Sequence, residues 1–234
     1  MIPLRDSTPR YSVPFLTVGL ILVNVFVFLY QILLDPFSLN HFIFQNGVVP
    51  LRVVAFVEGR APADAALAPL FTSMFLHGGW LHLIGNMWFL WIFGDNMEDN
   101  FGHWRYLMFY LLCGLAGGLA HIVLNPFSRV PSVGASGAIA GVMGGYLLLF
   151  PGSRVLTLVP FFFWFTVEIP AYVMLIYWFA IQLLSGVASV GSWQQDVGGV
   201  AFWAHVGGFV TGLALAWFFR RRRRARGYYR YYEW

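Results

Sequence analysis

Charged side chains are scarce in this sequence. Only 10% of its 234 residues are charged, whereas 59% are hydrophobic, and the mean hydropathy is +0.69. A soluble domain carries about 25% charged residues. The chain has too few charged residues to cover the water-exposed surface of a soluble protein of this size. The composition indicates a single bundle embedded in lipid.

The sequence has one cysteine and no lysine. Cys113 is the sole cysteine, which excludes a disulfide within the chain. It lies in the apolar stretch FYLLCGLAGG, so we expect it to be a small buried packing residue. All fourteen basic residues are arginine. No HExxH motif occurs, which removes the usual sequence sign of a zinc protease.

Long runs without charge are abundant by contrast. Six segments lack Asp, Glu, Lys and Arg and exceed the length of about 20 residues that crosses a bilayer: 11–34, 65–94, 106–128, 130–153, 169–195 and 197–219. They predict an all-α polytopic protein with six transmembrane helices. The membrane domain would cover 11–219, between a cytoplasmic segment 1–10 and a basic cytoplasmic tail 220–234.

Two connecting segments are unusual. Segment 155–167 is uncharged but too short to span, and we predict a loop lying on the membrane surface. Segment 35–69 is expected to be an outer loop, apolar enough for part of it to enter the membrane. The first span is not a cleaved signal peptide, because its apolar core is too long and no small-residue cleavage site follows.

Arginines predict the orientation. Six spans put both termini on one side, and with the N-terminus inside, eleven of the fourteen arginines lie in inner segments. Seven of these are in the tail, which we expect to contact anionic headgroups rather than nucleic acid. Both termini are therefore predicted to be cytoplasmic. A six-span plan without a transit peptide favours a bacterial inner membrane.

Polar residues inside spans are costly and are candidates for function. His82 and Asn86 are four residues apart and share one helix face. Ser136 begins a small-residue helix (SGAIAGVMGGY), and His205 lies in the last span. Counting 1.5 Å per residue from each inner end gives heights of about 20, 25 and 21 Å for His82, Ser136 and His205, with Asn86 near 14 Å. The four side chains should share one layer.

Small residues predict close helix contact beside this layer. Glycines recur at every fourth position on two spans, Gly137, Gly141 and Gly145 on the fourth and Gly208 and Gly212 on the sixth. Such spacing lets helix backbones approach closely. Contact between these faces would turn His205 towards Ser136.

These residue types suit acyl transfer. A serine hydroxyl needs a base to take its proton, and a neutral imidazole can do this near pH 7. The free N–H groups at a helix N-terminus, with the His82 and Asn86 side chains, could stabilise an oxyanion. Asp196 lies in a loop, and Glu168 is near the opposite face. The pattern therefore predicts a Ser-His dyad without an acidic third member.

Three motifs resemble those of the rhomboid intramembrane serine proteases. They are FTSMFLHGGWLHLIGNMWFLWIFGDNMED, GASGAIAG and VAFWAHVGGFVTG, in that order. The resemblance implies Ser136 as nucleophile and His205 as base, with His82, Asn86 and the Ser136 amide around the oxyanion. It also implies that a substrate's transmembrane helix enters laterally from the lipid bilayer, and that no cofactor or metal takes part.

The chain departs from that family's pattern at two places. Many relatives have an aromatic residue four positions after the serine, where it packs on the base, but this chain has Ala140. The Trp-Arg pair often found in the first outer loop is also missing before Phe71. These departures concern how the histidine ring is braced and how the first loop lies, and they remove no reacting group.

Two other functions compete with proteolysis. One is an inactive rhomboid-like protein that binds or escorts membrane helices, which the presence of both Ser136 and His205 disfavours. The other is a metal site or transporter built from His77, His82 and His205, which lacks a nearby carboxylate and an internal repeat. We expect His77, His103 and His121 to be structural. The sequence leaves the oligomeric state open.

Overall fold

The computed structural model of this chain describes residues 2–160, 164–189 and 200–220. Asp196 and almost all of the predicted tail 220–234 lie outside the described residues. Within them the elements are β1 (Ile2–Asp6), α1 (Phe15–Leu33), α2 (Pro36–Asn46), α3 (Pro50–Val57), α4 (Ala63–Leu67), α5 (Pro69–Thr72), a 3₁₀ turn (Ser73–Phe75), α6 (Trp80–Phe101), α7 (His103–Leu124), α8 (Ser136–Leu149), β2 (Arg154–Pro160), β3 (Trp164–Pro170), α9 (Ala171–Ser189) and α10 (Phe202–Phe219).

The helical membrane bundle is confirmed. Each predicted span contains a helix, and α1, α7, α9 and α10 are each long and apolar enough to cross a membrane. The second predicted span is a bent pair, Ala63–Phe75 and Trp80–Phe101, with an angle of 76° between its parts. α8 has 14 residues, about 21 Å of helix, which is less than a full hydrocarbon core. The count of six complete crossings therefore stays a prediction.

α8 is the central helix of the bundle. Every residue from 137 to 146 is buried, and α10, α7 and α6 pack around it. A helix can begin inside a membrane only where protein or water satisfies its free backbone groups, and the surrounding helices provide that shelter. The first turn of α8 thus lies within the protein rather than in lipid.

Glycine permits the close contact between α8 and α10. A Cβ atom at Gly208 would overlap the carbonyl oxygen of Gly137, and one at Gly212 would overlap that of Gly141. The prediction that these two glycine faces touch is confirmed. Cys113 is buried and unpaired as expected, and it packs against Gly141.

A buried carboxylate fastens α1 to the ends of α6 and α7. Glu98 is fully buried and accepts hydrogen bonds from the backbone N–H of Leu16 and from both the N–H and the hydroxyl of Thr17. The Nδ1 atom of His103 lies 2.6 Å from Oε1 of Glu98, the oxygen that also accepts from Leu16. A buried polar group is tolerated when it is this fully hydrogen-bonded. The structural role expected for His103 fits this contact.

The segment that was predicted to be an outer loop is largely helical and packs near the start of α8. Residues 35–69 form α2, α3 and α4, and Asp35 caps α2 by accepting from the N–H groups of Phe37 and Ser38. Between α2 and α3, Val48 exchanges two backbone hydrogen bonds with Ser132. This short bridge ties the loop to the segment that leads into Ser136.

Segment 155–167 is not the irregular loop that was predicted, and its position on the membrane surface stays a prediction. Most of that segment forms the strands β2 and β3, which pair antiparallel, and β1 adds to the other side of β2. Val155 and Thr157 are fully buried, as expected for alternate residues of a half-buried strand. Residues 161–163 lie outside the described residues. The sheet was not predicted because β1 is remote in sequence from the hairpin it joins.

Candidate active site

Ser136 and His205 meet across the α8–α10 contact. The Nε2 atom of His205 lies 2.8 Å from the Oγ atom of Ser136. Ser136 is the first residue of α8 and His205 lies in the first turn of α10. The position of the serine at the helix start leaves backbone N–H groups beside its side chain without helical partners. The pair therefore combines a hydroxyl, an imidazole and free donors in one place.

Gly134 lies directly against His82 and Asn86. Its φ of +129° lies in a region that L side chains rarely adopt. A Cβ atom there would be 2.8 Å from His82 Nε2 and 3.6 Å from Asn86 Nδ2. The backbone two residues before Ser136 thus passes within contact of both side chains. Any residue larger than glycine would be strained and crowded at this position.

One cavity joins these groups. It has a volume of about 720 Å³ and is lined by Ser136, His205, His82 and Asn86, among others. The four side chains that were predicted to share one layer therefore line the same cavity, and their common height in the membrane stays a prediction. His121 also lines the cavity, with the Asn125 amide 3.3 Å from its Nδ1 atom.

His77 lies just before α6 and orients Asn86. Its backbone is held by Gln31 of α1, whose Oε1 accepts from the His77 N–H at 3.0 Å and whose Nε2 donates to the His77 carbonyl at 3.1 Å. Asn86 Nδ2 lies 2.9 Å from His77 Nε2. Gln31 and His77 are almost completely buried. A chain of contacts therefore runs from α1 to the cavity.

α9 supplies two contacts to His205 from the side opposite Ser136. The Oε1 atom of Gln182 lies 2.7 Å from His205 Nδ1. The ring of Trp178 lies 5.8 Å from the imidazole, centroid to centroid, with the two planes inclined by 35°. Ala140 is itself buried, and Trp178 provides an aromatic contact to the ring from a different helix.

Three residues of this network, Gln31, Trp178 and Gln182, were not among those predicted from the sequence. An amide inside an apolar span is costly unless it finds a partner, so both glutamines carried a signal that could have singled them out. No such signal existed for Trp178, since ten tryptophans occur in the chain. Its partner could be found only from the packing of α9 on α10.

Among the described residues, the candidate site has nitrogen and oxygen donors without an assembled metal centre. Within residues 2–160, 164–189 and 200–220, no group of three His, Cys, Asp or Glu side chains is arranged to hold a metal ion. His77 and His82 have their rings 5.1 Å apart, yet His77 is engaged with Asn86. The geometry suits proton transfer and hydrogen bonding.

The family model and three relatives that match this chain are all described as rhomboid. A family model described as the Rhomboid domain matches residues 64–222, which is most of the chain. "RHOMBOID-like protein 6, mitochondrial" of Arabidopsis thaliana is 33% identical over 148 residues, covering 62% of this chain and 41% of that protein. "Rhomboid-like protease 5" of Toxoplasma gondii is 35% identical over 147 residues, or 60% of this chain and 15% of that protein.

A shorter match comes from a bacterium. "Rhomboid protease GluP" of Bacillus subtilis is 40% identical over 85 residues, covering 36% of this chain and 16% of that protein. The chain spans less than half the length of these curated relatives.

Proposed function

This chain belongs to the rhomboid family, and on that premise we propose that it is an intramembrane serine endopeptidase acting on transmembrane segments of other membrane proteins. Its helical bundle makes it an integral membrane protein. The observation that carries the proposal is the 2.8 Å contact between Ser136 Oγ and His205 Nε2 inside the cavity. In this proposal Ser136 is the nucleophile and His205 is the base.

The contact suits the first chemical step. As Ser136 Oγ attacks a peptide carbonyl carbon, its proton passes to His205 Nε2, and the carbonyl becomes a tetrahedral oxyanion. The imidazolium then gives the proton to the leaving amine as the C–N bond breaks. Water attacks the acyl-serine in the second half, again losing its proton to His205, which returns it to Ser136. No cofactor is required for this cycle.

His82 and Asn86 are the proposed side-chain donors to the oxyanion, together with the Ser136 amide. The backbone N–H of Gly78 points at His82 Nδ1 over 3.4 Å, which leaves the proton on Nε2, the atom that faces Gly134. One N–H of the Asn86 amide is directed to His77, and the second is free to face the cavity. Donors fixed in this way before reaction need little reorganisation as charge develops.

The proposed partner is a transmembrane helix that reaches the cavity laterally from the bilayer. The proposed location is a bacterial inner membrane with both termini in the cytoplasm. The arginine distribution supports the orientation. The relatives come from a plant, a parasite and a bacterium, so the bacterial setting rests on the six-span plan of the sequence alone.

Labelling with a serine-reactive fluorophosphonate, with and without a chelator, separates the candidate functions. The protease should label at Ser136 under both conditions, because its nucleophile needs no metal. A protein that only escorts membrane helices, or a metal transporter, would label under neither. The proposal would be overturned if the folded protein is not labelled and also cleaves no transmembrane substrate.

A further inference from the structure

We infer that Gln182 and Trp178 of α9 are positioning residues for the base, Gln182 by fixing the tautomer of His205 and Trp178 by holding the plane of its ring. The inference rests on the proposed function, since it concerns how His205 is prepared to accept the serine proton. It gives α9, which carries none of the reacting groups, a role in preparing the base.

The tautomer follows from the two contacts on the imidazole. To accept the Ser136 proton, Nε2 of His205 must be unprotonated, so the single ring proton of the neutral form is on Nδ1. That atom lies 2.7 Å from Gln182 Oε1, and an amide oxygen can only accept. The Nδ1–H group therefore donates to Gln182. The other tautomer would lose this bond and would place a donor against the serine hydroxyl.

An amide is well suited to this position inside a membrane. A carboxylate would stabilise the protonated imidazole more strongly, but an ionised group is costly to bury in a lipid-embedded bundle. Gln182 supplies the directional acceptor without a charge. The same substitution of an amide for a carboxylate occurs in the Cys-His-Asn arrangement of papain-like proteases.

The two residues belong to one face of α9. Trp178, Gln182 and Gly186 are spaced by four and so lie along one side of the helix. Gly186 packs against Trp203 of α10, with a Cβ atom there placed 3.2 Å from the indole ring. Trp178 also lies 6.1 Å from the ring of Phe209, one turn beyond His205. This face is therefore seated on α10.

Other positions of α9 are exposed. Tyr177 is 50% and Leu184 is 69% exposed, as expected for side chains that face lipid. These two positions are neighbours of Trp178 and Gln182 in sequence but lie outside the contact. They provide matched control sites on the same helix.

The Trp178 contact also accounts for Ala140. A small residue at 140 leaves the imidazole without an aromatic neighbour from α8, and the ring of Trp178 meets it from α9 instead. The brace is thus supplied by α9 in this chain.

The test compares Gln182→Met, Gln182→Glu and Leu184→Met in the full chain. Methionine keeps the length of the side chain but lacks the acceptor, whereas glutamate keeps an acceptor oxygen. We expect Gln182→Met to lower kcat for a model transmembrane substrate about 10²-fold, below the ~10⁴-fold cost of losing the tautomer-fixing carboxylate of a soluble serine protease, with little change in KM. Gln182→Glu should recover most of kcat, and Leu184→Met should match the wild type.

The ¹⁵N spectrum of histidine-labelled protein reads the tautomer directly. The His205 signals, identified by their absence from His205→Ala, should show the Nδ1–H form in the wild type and a mixture of tautomers in Gln182→Met. An Nε2–H form in the wild type, or unchanged kcat and spectrum in Gln182→Met, would overturn the inference. If Gln182→Met does not insert, the wild-type spectrum decides.

Trp178→Leu is tested against Tyr177→Leu. The first should broaden the His205 ¹⁵N signals and lower kcat, and the second should do neither.

The spectrum can be recorded without substrate turnover, so the proposed protease function and the proposed positioning role can fail independently of each other. If the protein cleaves no substrate but shows the expected tautomers, the proposed protease function is wrong and the positioning role of Gln182 stands. If it cleaves through Ser136 but shows no change in Gln182→Met, the positioning role is wrong.

Discussion

Gly208 of α10 lies so close to Gly137 of α8 that a Cβ atom on Gly208 would overlap the Gly137 carbonyl oxygen. Gly137 follows Ser136 directly, and His205 is three residues before Gly208 on the same helix. The separation between these two backbones therefore sets the distance between Ser136 Oγ and His205 Nε2.

Gly208→Leu should force α8 and α10 apart and move the base from the nucleophile. Because a displacement of about 1 Å can cost 10²-fold in rate, we expect turnover of a transmembrane substrate to fall at least that far. Gly19→Leu is the control, since Gly19 of α1 has open space at its Cβ position. Full turnover by Gly208→Leu would show that the glycine contact is incidental to the site.

Ser136→Ala and His205→Ala should each abolish cleavage while the protein still inserts and folds. The double variant should be no worse than either single one, because residues that act as a unit give non-additive losses. The test measures single-turnover cleavage of a transmembrane substrate by the purified wild type, the two single variants and the double variant. Substantial cleavage by Ser136→Ala would refute the mechanism.

His82→Ala and Asn86→Ala should lower turnover and leave substrate binding nearly unchanged, because the oxyanion exists only in the transition state. One such donor is worth about 10²–10³ in rate in a soluble serine protease. We expect the lower end for Asn86→Ala, and a larger loss for His82→Ala. Fluorophosphonate should still label Ser136, more slowly. Wild-type turnover in both variants would leave these residues with a packing role alone.

Gln31→Met should weaken catalysis without touching any reacting group. It removes both amide contacts to the His77 backbone and so loosens the partner of Asn86. We expect a loss of turnover smaller than that of Asn86→Ala, and no further loss when Gln31→Met is added to Asn86→Ala. Leu33→Met, at an 82% exposed position of the same helix, serves as control. Additive losses in the double variant would separate Gln31 from Asn86.

Cysteine accessibility tests the orientation. In a Cys113→Ala background, cysteines placed in the loop 35–69 should react with an impermeant thiol reagent added to intact cells. Cysteines placed after Arg226 should react only when the cells are opened. The reverse pattern would put the cavity near the cytoplasmic side and contradict the prediction from the arginines.

The helices and the principal polar residues followed from local features of the sequence. Long uncharged runs can only be helical in lipid, because every backbone group must be satisfied within the segment. The spacing of four between His82 and Asn86 fixed their common face, and the cost of polar groups in a span drew attention to Ser136 and His205. The strands in segment 155–167 could not be predicted in this way, because they are stabilised by pairing with the distant residues Ile2–Asp6.

The sequence by itself determined that the long uncharged segments contain helices, which helix faces carry glycine and which polar side chains are candidates for the site, because these depend on helical periodicity and on the cost of polarity in lipid. Only the tertiary structure decided that Gln182 and Trp178 hold His205 and that Gln31 holds His77. Those contacts join residues 23, 27 and 46 positions apart along the chain. Their formation depends on the rotation and packing of whole helices, which the period of one helix does not specify.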